Sequence, residues 1–258
     1  LRCTRLANPM TQVVAFVGAK GGTLKTASVA AVAHLAAKGG LSVVMLDGDP
    51  QADLTSRSGF ARVADPLTAE LVPVRFKGEP DMDLRLLRGG RSMEAADVSV
   101  AERHIRRAVE SGADLVFIDT PPALGPITTA SIRASALIVI PAMPGKESLE
   151  RSHDVMSLAR GGSAMPRVRI LLTLAHLQSN LFRWMVEQVD ALYPGARMRP
   201  VIPYEMPAGE AALFEVPVTV SAPRSRSSLA YCEVSADVIE RLGLRVTAPA
   251  AKRAGGAA

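Results

Sequence analysis

A glycine-rich loop with two lysines is the part of the sequence best suited to chemistry. Its residues are Lys20-Gly21-Gly22-Thr23-Leu24-Lys25-Thr26-Ala27. Glycine N–H groups can approach phosphate oxygens closely, a lysine ammonium can pair with β- and γ-phosphates, and a threonine hydroxyl can bind Mg²⁺. We therefore expect Gly21 and Gly22 to wrap phosphates, Lys25 to contact them and Thr26 to bind the metal ion. A plain turn between a strand and a helix is the alternative interpretation.

The loop departs from the general phosphate-loop pattern G-x-x-x-x-G-K-[ST]. Ala19 and Leu24 stand at its two glycine positions. A Cβ at position 24 restricts positive φ and crowds a bound phosphate, since glycine is the residue that tolerates both. We expect nucleotide affinity that is retained but altered, and undetectable binding of a labelled ATP analogue with Mg²⁺ would contradict this expectation.

Three aspartates follow or end apolar runs. Asp47 and Asp49 come after the run 41–46, and Asp119 ends the run 114–119. The carboxyl ends of parallel strands meet at one edge of a sheet, where ligands bind. Carboxylates there can hold Mg²⁺ or act on a water molecule. Any one of these aspartates alone is equally well explained as a helix N-cap.

Strand-like and helix-like segments alternate along the chain. The predicted strands are 12–17, 41–46, 114–119, 135–141, 168–174 and 199–203. The predicted helices are 26–38, 100–111, 146–160, 179–192 and 228–243. Repeated strand–helix units predict an α/β fold with a doubly wound, mostly parallel sheet and helices on both faces. We expect a single domain over residues 10–246, with a disordered extension at 1–9 and a disordered tail at 247–258.

Composition excludes several classes of protein. Of 258 residues, 48% are hydrophobic and 21% are charged, which excludes disorder for the body of the chain. Cys3 and Cys232 lack C-x-x-C spacing, which argues against a disulfide framework, a thiolate zinc site and an iron–sulfur cluster. No apolar run reaches the roughly 18 residues of a membrane span, so we expect a cytoplasmic protein. The 30 Lys and Arg against 25 Asp and Glu allow nucleic-acid binding without deciding it.

The loop motif Lys20-Gly21-Gly22-x-x-Lys25-Thr26 resembles the deviant Walker A motif of the ParA/MinD superfamily of ATPases. The segment 47–51, DGDPQ, resembles the D-x-D-P-Q signature of that superfamily, and Asp119 before Thr-Pro-Pro resembles its Walker B aspartate. The resemblance covers roughly residues 11 to 243. It implies a P-loop NTPase fold that binds ATP or ADP with Mg²⁺.

The resemblance also implies roles for individual residues. Lys20 would reach the phosphates of the partner's ATP across a nucleotide-sandwich homodimer, Asp49 would position or activate the attacking water, and Asp47 would support the Mg²⁺ shell. The predicted catalytic residues are Lys20, Lys25 and Asp49, and the predicted metal-binding residues are Thr26, Asp47 and Asp119. The predicted nucleotide-binding residues are Lys20, Gly21, Gly22, Thr23, Leu24, Lys25, Thr26, Ala27, Pro203, Tyr204 and Glu205.

Two of these nucleotide contacts depart from the family pattern. Ala27 replaces a hydroxyl residue that usually contacts the α-phosphate, so only its backbone N–H remains. Pro203, Tyr204 and Glu205 lie in a segment that resembles the adenine-enclosing loop, but family members often carry I-P-R there. An ordinary loop is the alternative for this segment.

The short, Soj-like class of ParA partition ATPases is the branch that the sequence resembles most. The tail after Leu244 lacks the bulky apolar face of a membrane-binding helix, so we expect no membrane partner. The resemblance implies non-specific binding to double-stranded DNA, for which Arg183, Arg224 and Arg226 are the candidate contacts. Exposed arginines are also common as ordinary solvated surface.

The function implied is an ATPase for plasmid or chromosome partitioning. It would form an ATP-dependent dimer, bind DNA non-specifically, and hydrolyse ATP slowly until stimulated by a ParB-like centromere-binding protein. Its location would be the cytoplasm, in association with the nucleoid. Two alternatives stay open: a ParA-like positioning or assembly ATPase that acts through protein contacts, and a nucleotide-binding scaffold with low turnover.

Overall fold

Residues 10–18, 20–160, 167–206 and 216–246 are described by the computed structural model of the protein. The strands are β1 (Gln12–Phe16), β2 (Val43–Asp47), β3 (Leu71–Pro73), β4 (Leu84–Leu87), β5 (Leu115–Asp119), β6 (Leu137–Ala142) and β7 (Arg167–Leu172). The helices are α1 (Lys25–Lys38), α2 (Asp53–Arg57), α3 (Val98–Glu110), α4 (Pro126–Ala134), α5 (Lys146–Arg160), α6 (Asn180–Leu192), α7 (Val218–Ser221) and α8 (Arg226–Arg241), with a 3-10 helix at Arg91–Ala95. The predicted extension 1–9 and tail 247–258 lie outside the described residues.

In the described part of the chain, seven strands form a sheet in the order β3-β4-β2-β5-β1-β6-β7. Neighbouring strands are parallel except β3, which runs antiparallel to β4. Asp119 at the end of β5 lies in register with both Phe16 of β1 and Asp47 of β2. The doubly wound, mostly parallel sheet is thus confirmed, and the carboxyl ends of its central strands lie side by side.

The sheet is buried on both faces because its central strands are apolar, apart from the aspartates that end β2 and β5. Alternate side chains of a strand point to opposite faces. Val14 and Phe16 of β1 belong to a core cluster shared with α1 and α8, whereas Val13 and Ala15 belong to a second cluster shared with α3 to α6. Helices on both sides therefore hold the strand ends and the loops that follow them in fixed positions.

The predicted strand at 199–203 is wrong. The segment runs alongside β7, where Met198 N donates to Ile170 O at 2.9 Å and Ile202 N donates to Leu172 O at 2.8 Å. It forms only isolated bridges there. Pro200 and Pro203 have no N–H to donate, which prevents a continuous ladder. The other predicted strands and helices are present, with ends displaced by no more than two residues.

None of the helices in the described ranges combines the length and the apolar character that a bilayer span requires.

The region 51–97, where turn residues obscure the pattern, contains α2, β3, β4 and the 3-10 helix. α2 is the element of this region that bears on the site, because it follows β2 directly at the carboxyl edge of the sheet.

Candidate nucleotide-binding site

A cavity of about 500 Å³ opens at the carboxyl edge of the sheet, a size typical of small-molecule sites. Its lining comes from the loops after β1, β2, β5 and β7 and from residues 204–206. The lining residues are Lys20, Gly21, Gly22, Thr23, Leu24, Lys25, Thr26, Ala27, Asp49, Gln51, Asp53, Arg57, Pro122, Leu174, Tyr204, Glu205 and Met206. All the predicted loop residues therefore face the same cavity as Asp49, Tyr204 and Glu205. Asp47, Asp119 and Pro203 lie outside its lining.

The loop between β1 and α1 contains two residues in the left-handed region. Gly22 has φ 77°, and Leu24 has φ 61° and ψ 25° immediately before α1 begins. Glycine adopts this conformation freely, whereas leucine does so at a cost of about 1–2 kcal/mol. The Leu24 side chain is half-buried and packs against the core cluster that contains α1, which offsets part of that cost. The loop keeps its left-handed turn, but a leucine side chain lines the cavity.

Asp119 contacts two residues of the loop, Lys25 and Thr26. Lys25 Nζ lies 3.2 Å from Asp119 Oδ1, and Thr26 Oγ1 donates to Asp119 Oδ2 at 2.7 Å. Lys25 and Asp119 are buried. Mg²⁺ in phosphate sites is held by one or two protein oxygens together with waters and substrate phosphates. The Thr26 hydroxyl and the Asp119 carboxylate fit that requirement, and Lys25 is next to both.

Asp47 lies beneath the cavity with its carboxylate engaged by protein groups. Oδ2 accepts from the Thr55 N and Oγ1 atoms at 2.8 and 2.6 Å, and Oδ1 accepts from Asp49 N at 3.2 Å. The Thr55 hydroxyl in turn accepts from Gly89 N at 2.8 Å. Burial, and then the charge of Asp119, raise the pKa of Asp47 to about 7. The bonds to Asp49 and Thr55 therefore make Asp47 an anchor for the β2–α2 segment.

Asp49 is a largely buried carboxylate that lines the cavity. Only 8% of its surface is exposed, and its Oδ1 accepts from Gln51 N at 2.9 Å. Burial raises the pKa of Asp49, although the Gln51 hydrogen bond and the charge of Lys25 oppose this effect. A partly desolvated carboxylate with a raised pKa is a better proton acceptor than an exposed one. The geometry suits a group that holds or activates water.

Lys20 forms an ion pair that the sequence does not reveal. Its Nζ lies 2.6 Å from Glu147 Oε2 at the start of α5. The Lys20 side chain is 34% exposed and that of Glu147 is 60% exposed. The hydrogen bond and charge of Lys20 lower the pKa of Glu147. The second lysine of the loop is thus held by a surface carboxylate of its own chain.

The β7 side of the cavity is apolar and aromatic. Tyr204 stacks on His176 with ring centroids 4.5 Å apart, and Leu174 and Met206 line the cavity with it. Leu174 has φ 51°, which turns the chain sharply after β7. A flat aromatic surface next to aliphatic side chains suits a planar base.

Glu205 links the cavity to the start of α8. Its carboxylate accepts from Ser227 N at 2.7 Å and from Arg226 Nε at 3.4 Å, and the Ser227 hydroxyl donates to Pro203 O at 3.3 Å. These bonds lower the pKa of Glu205 against the opposing effect of its own burial. Glu205 therefore lines the cavity, but its carboxylate is hydrogen-bonded to the N-terminus of α8. Pro203 contributes only its carbonyl, which accepts from Ser227.

The three arginines predicted to contact DNA lie on the surface. Arg183 on α6 is exposed and donates to Gln178 O and Asn180 Oδ1. Arg224 is exposed just before α8, and the side chain of Arg226 is 70% exposed despite its pairing with Glu205. All three present a cation to solvent.

The sequence profile of the "CobQ/CobB/MinD/ParA nucleotide binding domain" family matches residues 14–218. The chain belongs to this family. The match spans the glycine-rich loop, Asp47, Asp49, Asp119 and the base-side segment at 203–206, so it covers every part of the cavity described above. It confirms the resemblance that the motifs indicate.

Among known ParA-family proteins, the chain is 25% identical to the sporulation initiation inhibitor protein Soj of Bacillus subtilis (strain 168), over 89% of this chain and 98% of that protein. It is 27% identical to the chromosome-partitioning ATPase Soj of Thermus thermophilus, over 89% of this chain and 96% of that protein. The fold is similar to that of the septum site-determining protein MinD of Pyrococcus horikoshii complexed with Mg-ADP. That likeness has a TM-score of 0.75 at 20% identity and covers 91% of this chain and 98% of the other. The chain is a ParA-like member of its family.

Three lining residues have no signal in the sequence analysis: Asp53, Arg57 and Leu174. Asp53 and Arg57 are the two ends of α2, a helix of five residues that is too short for periodicity to detect. Leu174 lies at a sharp turn in the left-handed conformation, and a leucine in the sequence does not predict such a turn. The nearest sequence signal for α2 is its position directly after the D-x-D-P-Q segment.

Proposed function

We propose that this protein is an ATPase of the ParA type that acts in plasmid or chromosome partitioning. It forms an ATP-dependent sandwich homodimer in the cytoplasm, binds nucleoid DNA non-specifically, and hydrolyses ATP slowly until a ParB-like partner stimulates it. One observation carries the proposal. Lys25 and Thr26 line a cavity of about 500 Å³ and both contact the buried Asp119, and a second lysine, Lys20, lines the same cavity.

In this proposal, nucleotide binding replaces the present carboxylate partners of the loop lysines with phosphates. The ammonium of Lys25 contacts the β- and γ-phosphates, and loop N–H groups around Gly21 and Gly22 donate to the phosphate oxygens. The Thr26 hydroxyl and the Asp119 carboxylate hold Mg²⁺, which when bound offsets the negative charge of the phosphates. Tyr204 supplies a surface for the base.

Hydrolysis in this proposal depends on the carboxylate of Asp49. Asp49 orients the attacking water and accepts its proton, which its partial burial and raised pKa favour. The Asp47 carboxylate fixes Asp49 through the backbone N–H at 3.2 Å, so Asp47 positions the residue that acts. Lys20, released from Glu147, reaches the nucleotide of the second protomer.

A low-turnover nucleotide-binding scaffold is the second candidate, and the conformation of Leu24 favours it. A leucine side chain lines the cavity at the position where the loop turns left-handed into α1. An Asp49→Ala variant separates the two candidates. Phosphate release should fall sharply in an ATPase and stay unchanged in a scaffold.

The partition function is tested by binding to random-sequence duplex DNA without nucleotide, with ADP, with ATP, and with a slowly hydrolysed ATP analogue, at two salt concentrations. We expect retention only with ATP or the analogue, and weaker retention at the higher salt concentration because phosphate contacts release counterions. Arg224→Ala should weaken retention, whereas Arg91→Ala, which removes an exposed arginine of the 3-10 helix, serves as the matched control. Nucleotide binding without DNA binding would overturn the partition function in favour of a positioning ATPase.

A further inference from the structure

α2 is a short helix held in a fixed position by buried hydrogen bonds. Its central residue Thr55 donates through N and Oγ1 to Asp47 Oδ2, and Gly89 N donates to the same hydroxyl. Asp47 and Thr55 are fully buried. A helix of five residues has little stability of its own, so this network between β2 and the chain after β4 determines where α2 lies. Arg57 follows Thr55 by two residues and ends the helix.

Arg57 lines the cavity together with Asp49, and it is half-buried. Its guanidinium has no hydrogen-bond or ion-pair partner within the described ranges. The loop cations differ in this respect, since Lys25 contacts Asp119 and Lys20 contacts Glu147. A partly desolvated guanidinium with five unused donors favours an anionic partner. A phosphate chain bound in this cavity would supply such a partner, since the lining carboxylates Asp49 and Asp53 make no ion pair with Arg57.

The order of the strands indicates which part of a nucleotide lies near Arg57. In the proposed function the loop after β1, which lines the cavity, binds the phosphates. On the β7 side, Leu174, Tyr204 and Met206 present an apolar surface suited to a base. On the β2 side, across β5, the lining is polar and includes Asp49 and Arg57. A nucleotide with its base against Tyr204 therefore directs its terminal phosphate toward the β2 side.

We propose that Arg57 is a further catalytic residue of ATP hydrolysis, supplied by the same chain that binds the nucleotide. This inference rests on the proposed ATPase function. The water oxygen forms a bond to the γ-phosphorus, the bond from that phosphorus to the bridging oxygen of ADP breaks, and its electron pair leaves with ADP. The water proton passes to the Asp49 carboxylate. Arg57 keeps its proton and donates hydrogen bonds to the γ-phosphoryl oxygens.

The contribution of Arg57 is electrostatic. Negative charge on the transferring phosphoryl group and the leaving oxygen is redistributed in the transition state, and fixed donors there lower the barrier. A planar guanidinium donates two parallel hydrogen bonds to such oxygens, whereas a lysine ammonium acts as a point charge. Because α2 is anchored through Thr55, the backbone of Arg57 is fixed beside the cavity before ATP binds, and part of the catalytic charge does not depend on a partner protein.

The test compares Arg57→Ala, Arg57→Lys and a matched control, Arg62→Ala, in the full chain. Arg62 is an exposed arginine of the loop after α2 and lies outside the cavity lining. Single-turnover formation of ADP gives the rate, and titration with a slowly hydrolysed ATP analogue gives the affinity. We expect Arg57→Ala to lower the rate about 100-fold, the loss typical of removing one transition-state donor, with less than a threefold change in affinity. Arg57→Lys should recover part of the rate, and Arg62→Ala should match the parent.

Several results would overturn the inference. A rate for Arg57→Ala within threefold of the parent would do so, as would a loss of affinity with an unchanged rate at saturating ATP. An absence of ATP hydrolysis in the parent would overturn the proposed function and this inference together, whereas parent hydrolysis with no effect of Arg57 overturns the inference alone. If Arg57→Ala unfolds at a lower urea concentration than the parent, Arg57→Lys is compared with the parent instead. A rate of Arg57→Lys equal to that of the parent would refute the need for a guanidinium.

A mixing experiment tests whether Arg57 acts on the nucleotide of its own chain. Arg57→Ala and Asp49→Ala chains are mixed with ATP. If both residues act within one chain, every site in the mixture lacks one of them and the rate stays low. Restoration of about a quarter of the parent rate in a 1:1 mixture, where half of the dimers are mixed and one of their two sites is complete, would mean that Arg57 reaches the nucleotide of the second protomer and would overturn the assignment to the same chain.

Discussion

The burial of His104 predicts that the stability of this protein depends on pH between pH 6.5 and 4. The ring lies on the buried face of α3 with 1% of its surface exposed, and neither ring nitrogen has a hydrogen-bond partner in the described part of the chain. Burial, assisted by the charge of Arg107 and opposed by that of Asp65, lowers the pKa of His104 from 6.5 to about 4. The folded chain thus resists protonation at this ring.

The sign and size of this effect on the free energy of unfolding follow from proton linkage. Above pH 6.5 the ring is neutral in both states and has no effect. As pH falls below 6.5 the unfolded chain takes up the proton first, so the free energy of unfolding decreases, and the decrease levels off below pH 4. A lowering of the His104 pKa by about 2.5 units corresponds to about 3 kcal/mol in full and about 2 kcal/mol at pH 5. Asp47, whose pKa is raised, acts in the opposite direction between pH 7 and 4.

The measurement is urea unfolding of the parent and His104→Leu at pH 7.5, 6.5, 5.5 and 5.0. Because Asp47 is present in both proteins, its effect cancels in their difference. We expect the variant to gain about 2 kcal/mol relative to the parent between pH 7.5 and pH 5. His176→Leu is the control, since it makes the same replacement at an exposed residue. Equal pH dependence in the parent and His104→Leu would refute the reasoning.

Three further predictions concern the site. Leu24→Gly should change the free energy of unfolding by no more than about 1 kcal/mol, because relief of left-handed strain offsets the lost packing and the entropy cost of glycine. The affinity for an ATP analogue with Mg²⁺, measured by calorimetry, should rise. A weaker affinity would contradict this prediction. Gly89→Ala should destabilise the fold by about 1–3 kcal/mol in urea unfolding, because its Cβ would lie 2.8 Å from the buried Asp47 Cγ; an unchanged midpoint would count against it. Glu147→Gln should release Lys20, so that sedimentation detects the proposed ATP-dependent dimer at a protein concentration about two- to fivefold lower. An unchanged threshold would show that the ion pair does not restrain Lys20.

Much of the fold follows from local sequence patterns. The parallel strands around β1 are continuous apolar runs, and their order of appearance with helices between them determines the class of sheet. The segment 199–203 misleads because its composition is strand-like, whereas its prolines remove the donors that a ladder needs. The 3-residue β3 and the 5-residue α2 are too short to produce a periodic signal.

The residues of the candidate site are predictable where a reactive residue type stands in a local motif after a strand. They are not predictable where the fold brings together residues that are distant in the sequence. The loop at 20–27 and Asp49 are recognisable from residue types after a strand. Glu147 and Arg57 are not, because the first approaches Lys20 from 127 positions away and the second is placed by a network of buried hydrogen bonds. Asp47 resembles a metal-site carboxylate in sequence, and only the packing around Thr55 shows that its oxygens are already engaged.

The two edges of the sheet restrict how this molecule can assemble. At one edge, Val74 N donates inward to Leu84 O, so the alternation of β3 places Pro73 where an outward N–H would otherwise stand. At the other edge, the segment 196–203 occupies the backbone groups of β7 and itself carries Pro200 and Pro203. Neither edge offers an unbroken row of donors for another strand. Strand-by-strand growth of a sheet between copies is therefore disfavoured, and the proposed dimer must use other surfaces of the molecule.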